Sequence, residues 1–132
     1  MNHELVEGLL RSRGCTLTPQ RRAILRFLDG NLDHPTATEI FTAVTADFPM
    51  ASRATVYNTL TLLEEVGAVC AIRESERETR YDPNTAHHHH RVCPVCGRIE
   101  DVSADEVRVQ WRGQEARATV RFEQACAGCA PA

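Results

Sequence analysis

The sequence predicts an α+β chain, with a winged helix-turn-helix over residues 1–82 and a small α/β lobe over residues 83–132 that metal must hold together. Three observations carry this. Apolar residues recur at helical spacing through four segments up to Gly67, and two short strand-like runs follow. Two Cys-x-x-Cys pairs, Cys93/Cys96 and Cys126/Cys129, sit near the C-terminus. Four consecutive imidazoles, His87 to His90, run into the first of these pairs and are flanked by Asp82 and Asp101.

The helical elements can be justified in turn. Residues 3–13 place Leu5, Leu9 and Leu10 at helical spacing before Gly14. Thr18 is a good N-cap and Pro19 suits the first position of a second helix whose apolar stripe is Ile24, Leu25 and Leu28. A third helix follows His34-Pro35, capped by Thr36 or Thr38, with Ile40, Phe41, Val44 and Phe48 facing inward until Pro49 closes it. The fourth starts at the cap Ser52, lines one face with Val56, Leu60, Leu63 and Val66, and ends at Gly67. Its other face carries Arg53, Thr55, Tyr57, Asn58 and Thr61, polar tips of the kind a helix needs to read base edges in a major groove. Four amphipathic helices also make an ordinary bundle core, so patterning leaves the DNA reading open.

Strands are expected at 68–73 and 78–82 around the charged turn Glu74-Ser75-Glu76-Arg77, and Asp82-Pro83-Asn84-Thr85 is a hinge. The second lobe reads as strand 87–93, a cysteine knuckle, strand 98–102, a short helix capped by Ser103, strand 116–123 and the last cysteine pair. It has few large apolar residues, so zinc has to supply what its core cannot.

Composition bounds the function. At 132 residues the chain makes one ordinary domain or two very small ones, and 42% hydrophobic with 25% charged residues is the balance of a soluble globular protein. The formal charge of −3 provides no global field for nucleic acid, so any such contact must come from local clusters; all fifteen basic residues are Arg. There is no apolar run of membrane-spanning length and no signal-peptide pattern, so a cytoplasmic location is expected. In such a chain two Cys-x-x-Cys pairs fit zinc better than disulfides, and Cys15 and Cys70 are expected as small buried side chains.

Two metal sites follow. Cys93, Cys96, Cys126 and Cys129 offer a closed sulfur shell for a structural zinc, with a redox-active dithiol as the rival reading. A bare histidine tract is more often an adventitious binder. Here His88 and His90 share one face of an extended strand, with His87 and His89 on the other, and an antiparallel return brings Asp101 beside the first pair. Asp82 and His34 can complete a mixed nitrogen and oxygen shell that favours Fe(II), Mn(II) or Zn(II).

Assembled, these residues resemble the ferric uptake regulator family nearly end to end, over residues 4 to 129. The matching motifs are Leu17-Thr18-Pro19-Gln20-Arg21, His34-Pro35-Thr36-Ala37, Ala54-Thr55-Val56-Tyr57-Asn58-Thr59-Leu60, and Arg80-Tyr81-Asp82 leading to His88-x-His90-x-x-Cys93-x-x-Cys96-Gly97. The resemblance implies a homodimeric repressor that binds an A/T-rich inverted repeat in double-stranded DNA. It implies regulatory ligands at His34, Asp82, His88, His90 and Asp101, and phosphate or base contacts from Arg21, Arg22, Arg53, Thr55, Tyr57 and Asn58. Asp at positions 82 and 101 matches the peroxide-sensing branch, in which Fe(II) reacts with hydrogen peroxide, a ligating His is oxidised and DNA is released, whereas Mn(II) gives an unreactive repressor. Iron-sensing members tend to carry Glu there, and zinc-sensing members Cys at the first position.

This sequence departs from the family in a short segment between Cys96 and Cys126, in lacking a histidine after His90, and in Thr16 where a minor-groove lysine is usual, which passes that role to Arg11 or Arg13. The alternatives are a manganese- or iron-uptake regulator without peroxide sensing, a small metal-dependent hydrolase, and a zinc-stapled interaction module. Hydrolysis without duplex binding marks the hydrolase. A footprint indifferent to Tyr57 and Arg53 marks the module.

Overall fold

The computed structural model describes residues 1–74 and 76–131, so Ser75 of the expected wing turn lies outside the described residues. The chain divides into two compact units, Met1–Thr85 and Ala86–Ala132, and the fold is α+β.

In the first unit, helices α1 (His3–Ser12), α2 (Pro19–Leu28), α3 (Ala37–Asp47) and α4 (Arg53–Glu65) precede a two-stranded antiparallel sheet of β1 (Cys70–Ile72) and β2 (Arg80–Asp82). Each helix starts on a side chain that accepts a backbone N–H. Asn2 caps α1 at 3.0 Å from the Glu4 nitrogen, and Thr18, Thr36 and Ser52 cap the others at 3.2, 3.2 and 3.1 Å. Between the two threonines offered for α3, the structure selects Thr36. Thr18→Ala is expected to cost about 1 kcal/mol, read as a lower urea midpoint with unchanged slope. Gly67, at φ 75°, ends α4 in the left-handed conformation, and the Ala68 N–H returns to the Leu63 carbonyl at 2.9 Å.

The core of this unit is the meeting of α2, α3 and α4, where Ile24, Leu25, Leu28, Ile40, Val56, Leu60 and Leu63 are buried. The structure resolves one open choice and corrects one inward assignment. On α1 the buried residues are Val6 and Leu10, and Leu5 and Leu9 face outward. The sequence offers two overlapping i,i+4 stripes one residue apart, and packing against α2 decides between them. Cys70 is exposed and Cys15 half-buried. The first of these stands on a two-stranded sheet in a strand whose burial begins only at Ala71. Phe41, Phe48 and Val66 are only partly buried against the core.

The second unit is a three-stranded sheet in the order β4 (Ile99–Ser103), β3 (His88–Val92), β7 (Arg121–Glu123), with β3 antiparallel to β4 and parallel to β7. Ser103 leads into the short 3-10 turn Ala104–Glu106, where the Glu106 carboxylate accepts the Ser103 N–H at 3.0 Å. The single strand expected over 116–123 is corrected: β5 (Val109–Trp111) and β6 (Gln114–Ala116) form a hairpin, and β7 keeps only three residues. Arg112 and Gly113 have φ 51° and 80°, the two-residue turn with both positions left-handed that joins strands tightly. Arg-Gly is a weaker signal for it than Asn-Gly, so the turn is easy to miss in the sequence.

The apolar side chains buried in this unit are Val92 and Ile99, joined by Cys93 and Cys126. Two aliphatic residues do not offset the chain entropy of a lobe this size, so an additional tie is required. Among the described residues no helix is long and apolar enough to cross a membrane.

Candidate metal centre

The four cysteines from the two ends of the second unit converge. Their sulfurs lie within 4.8 Å of one another, and Cys96 and Cys126 are 3.7 Å apart. Zn–S bonds of about 2.3 Å at the tetrahedral angle would separate sulfurs by about 3.8 Å, so the cluster already has the dimensions of a structural zinc shell. Each pair sits on a tight knuckle. The Gly97 N–H donates to the Cys93 carbonyl at 2.9 Å, with Gly97 at φ 78°, and the Cys129 N–H donates to the Cys126 carbonyl at 2.9 Å. The N–H groups of Cys126 and Cys96 aim at the Cys93 sulfur and draw its pKa down to about 6. Hydrogen bonding with the Cys126 and Cys96 sulfurs pushes Cys129 up to about 12. Four thiolates therefore do not coexist here without a cation, and zinc, which requires all four, fits the donor set and displaces protons on binding.

A second group lies in the same unit on strands β3 and β4. His90 is the direct antiparallel partner of Asp101, and His88 is two residues away on the same face. The Nε2 atoms of His88 and His90 are 2.9 Å apart, and each lies 3.3 and 3.2 Å respectively from Asp101 Oδ1. Donors about 2.1 Å from a shared ion stand about 3.0 Å apart at right angles and about 3.4 Å apart at the tetrahedral angle. All three separations fall in that range. The Ala86 carbonyl lies 2.6 Å from His88 Nδ1, so that nitrogen carries the proton and Nε2 presents its lone pair to the group.

The third group belongs to the first unit. His34 and Asp82 are buried, at 1% and 0% exposure, with His34 Nε2 3.4 Å from Asp82 Oδ2. Backbone contacts hold this pair. The Tyr81 N–H donates to the Pro35 carbonyl at 2.9 Å, Arg80 donates to the His34 carbonyl at 3.0 Å, and Thr36 bridges to Arg80. His34 itself has φ 52°, a conformation uncommon outside glycine that this pairing maintains. Asp82 Oδ1 accepts the Asn84 N–H at 2.8 Å, which leaves Oδ2 toward the imidazole. Imidazole and carboxylate donors in both the second and third groups suit a regulatory divalent metal.

The ligand residues expected from sequence thus fall into three close groups, while the nucleic-acid residues are more varied. Tyr57 (49% exposed), Asn58 and Arg53 lie on the open side of α4, and the Arg53 guanidinium stacks 4.6 Å over the Phe41 ring. Thr55 is half-buried, 3.0 Å from the Ser52 hydroxyl. Arg21 donates to the Thr16 carbonyl at 2.7 Å, and Arg22 lies 4.0 Å from Glu7. Two supporting groups were not anticipated, the Ala86 carbonyl and the Asn84 N–H. Only the second had a sequence signal, because Asp82-Pro83-Asn84 is turn chemistry in which an aspartate accepts the amide two residues on.

With this geometry in place, known proteins give context. The sequence model described as the ferric uptake regulator family matches residues 12–125. The peroxide-responsive repressor PerR of Staphylococcus aureus is 44% identical over 103 residues, covering 76% of this chain and 70% of the relative. The solved Campylobacter jejuni peroxide stress regulator superposes with a TM-score of 0.67 at 26% identity, covering 96% of this chain and 97% of that one. The Helicobacter pylori ferric uptake regulator reaches a TM-score of 0.77 at 19% identity, over 96% and 89% of the two chains, a similarity of fold alone.

Proposed function

The chain belongs to the ferric uptake regulator family, and we propose that within it the protein is a metal-dependent, peroxide-sensing repressor that binds duplex DNA as a cytoplasmic homodimer. In this reading residues 1–82 are the DNA-binding winged helix and residues 83–132 the metal-binding dimerisation domain. The protein is a stoichiometric sensor, not an enzyme. The carrying observation is the triangle of His88, His90 and Asp101, two imidazoles and one carboxylate at ligand spacing. That combination is the donor face of non-haem Fe(II) sites, and no thiolate accompanies it to favour zinc.

We read His34, Asp82, His88, His90 and Asp101 as the ligands of the regulatory metal. The His34–Asp82 pair and the His88–His90–Asp101 triangle each offer imidazole and carboxylate donors that suit the same divalent ions, which supports this. Metal held by these donors would couple occupancy of the centre to operator binding by the dimer. Moving a two-state repressor from mostly inactive to mostly active takes about 5.5 kcal/mol of differential binding, which five ligands can provide. Tyr57, Asn58 and Arg53 then meet base edges, with Arg21 and Arg22 on phosphates of an A/T-rich inverted repeat.

Held by these residues, iron(II) would supply the reducing equivalent that activates hydrogen peroxide, and Mn(II) would support DNA binding without that chemistry. Dilute peroxide added to the Fe(II) form is expected to add one oxygen to a peptide containing His34 or His88 to His90, with loss of operator binding; the Mn(II) form stays unmodified. Peptide mass spectrometry reads the outcome. An unmodified Fe(II) protein that still releases no DNA leaves iron or manganese sensing as the function.

A further inference from the structure

The four-histidine run uses two of its rings at the His88–His90–Asp101 triangle, and the other two face the opposite side of β3. We propose that His87 and His89 are positioning residues that lock strand β7 in register and thereby hold Cys126 and Cys129 at the zinc cluster. The proposal rests on the reading of the four cysteines as a zinc site.

The geometry is specific. His87 Nε2 lies 2.9 Å from the Ala118 carbonyl, and the Val120 N–H donates to His89 Nδ1 at 2.9 Å. Both contacts span 31 residues. The β3–β7 ladder has the same offset, pairing His90 with Arg121, Arg91 with Phe122 and Val92 with Glu123. The two imidazoles therefore extend a three-residue ladder backward in the same register, adding side-chain contacts at and before Val120, where the first backbone bond of the ladder runs from the His90 N–H to the Val120 carbonyl at 3.0 Å.

Chemistry sets the state of each ring. A carbonyl only accepts, so His87 carries its proton on Nε2. An amide N–H only donates, so His89 presents a bare Nδ1 and, when neutral, keeps its proton on Nε2. A metal on His89 Nε2 would force that proton onto Nδ1, against the Val120 N–H, so while this contact holds His89 is not a metal ligand. Its burial, at 1% exposure, agrees with a fixed role.

The register matters because β7 is short and pairs in parallel, the less stable geometry, and Cys126 follows its end by three residues. A slip by one residue moves the chain by about 3.3 Å and turns every β7 side chain to the other face. That displacement exceeds a Zn–S bond of about 2.3 Å, so neither Cys126 nor Cys129 would remain in coordinating range.

Isosteres separate this role from ligation. Asn places an oxygen where His has Nδ1, and Gln places an N–H where His has Nε2, and neither amide is a good metal ligand. Zinc content of the unaltered protein is measured first, at one tightly held ion per chain. Its absence would refute the zinc reading and not the clamp. Zinc transfer to a chromophoric chelator is then expected to be about tenfold or more faster in His87→Ala/His89→Ala, and close to the unaltered rate in His87→Gln/His89→Asn. Hydrogen exchange at the Val120 amide gives a readout independent of metal, slow in the unaltered protein and in His89→Asn and fast in His89→Ala. Should the double alanine variant fail to fold, the isosteric pair alone decides. Unaltered zinc transfer and Val120 exchange in a folded alanine variant would overturn the proposal, and so would fast zinc loss from the isosteric pair.

Discussion

Cys126→Ser releases the zinc and unfolds the C-terminal unit while helices α1 to α4 stay folded. The expectation follows from how little else holds that unit, whose buried apolar side chains among the described residues are Val92, Ile99 and two of the cysteines themselves. Structural zinc in comparable small domains contributes about 10–16 kcal/mol of apparent binding energy, comparable to or larger than the whole stability of an ordinary domain, about 5–15 kcal/mol. Serine keeps the size of the side chain but replaces a thiolate with a poor zinc ligand. Far-UV circular dichroism should retain the helical signal, metal analysis should show less than one zinc per chain, and amide resonances of β3, β4 and β7 should collapse toward random-coil positions. A serine variant that kept both its zinc and its dispersed sheet resonances would show that the sulfur cluster is not the tie. The first unit has its own apolar core of buried leucines and isoleucines, so its survival is part of the expectation.

The second large effect concerns metal-stimulated DNA binding. Asp82→Asn is expected to reduce the stimulation of operator binding by Fe(II) or Mn(II) from a factor of about a hundred or more to less than about ten, with the structural zinc retained. Asparagine keeps the oxygen that accepts the Asn84 N–H, so the local turn survives and only the charge on the ligand is lost. His88→Ala should act in the same direction. Fluorescence anisotropy with labelled duplex, with and without added metal, measures both. Full stimulation in Asp82→Asn would remove that residue from the regulatory centre, and loss of zinc from either variant would mean that the two metal sites had been confused.

Much of this protein was legible from residue order because the relevant signals are local. Thr18, Thr36 and Ser52 begin helices by accepting amides three residues ahead, and period-3.6 patterning placed the buried stripes of α2 and α4. The two-residue alternation of β3 put His88 and His90 on one face, and an antiparallel return brought Asp101 to His90. The sequence fell short where two local patterns competed or a signal was weak. α1 carries two adjacent apolar stripes, Cys70 sits on a sheet of only two strands, and Arg112-Gly113 turns a hairpin without the usual asparagine.

The sequence by itself determined the fold class and the two kinds of candidate metal donor, because donor chemistry and backbone periodicity are properties of side chains and their immediate spacing. Tertiary structure alone decided how far apart the donors stand, which face of α1 is buried, that His34 adopts a left-handed backbone beside Asp82, and that β7 runs parallel to β3 with His87 and His89 reaching across to it. The last two depend on contacts between residues 31 to 48 positions apart, and such contacts form only once the whole chain has condensed.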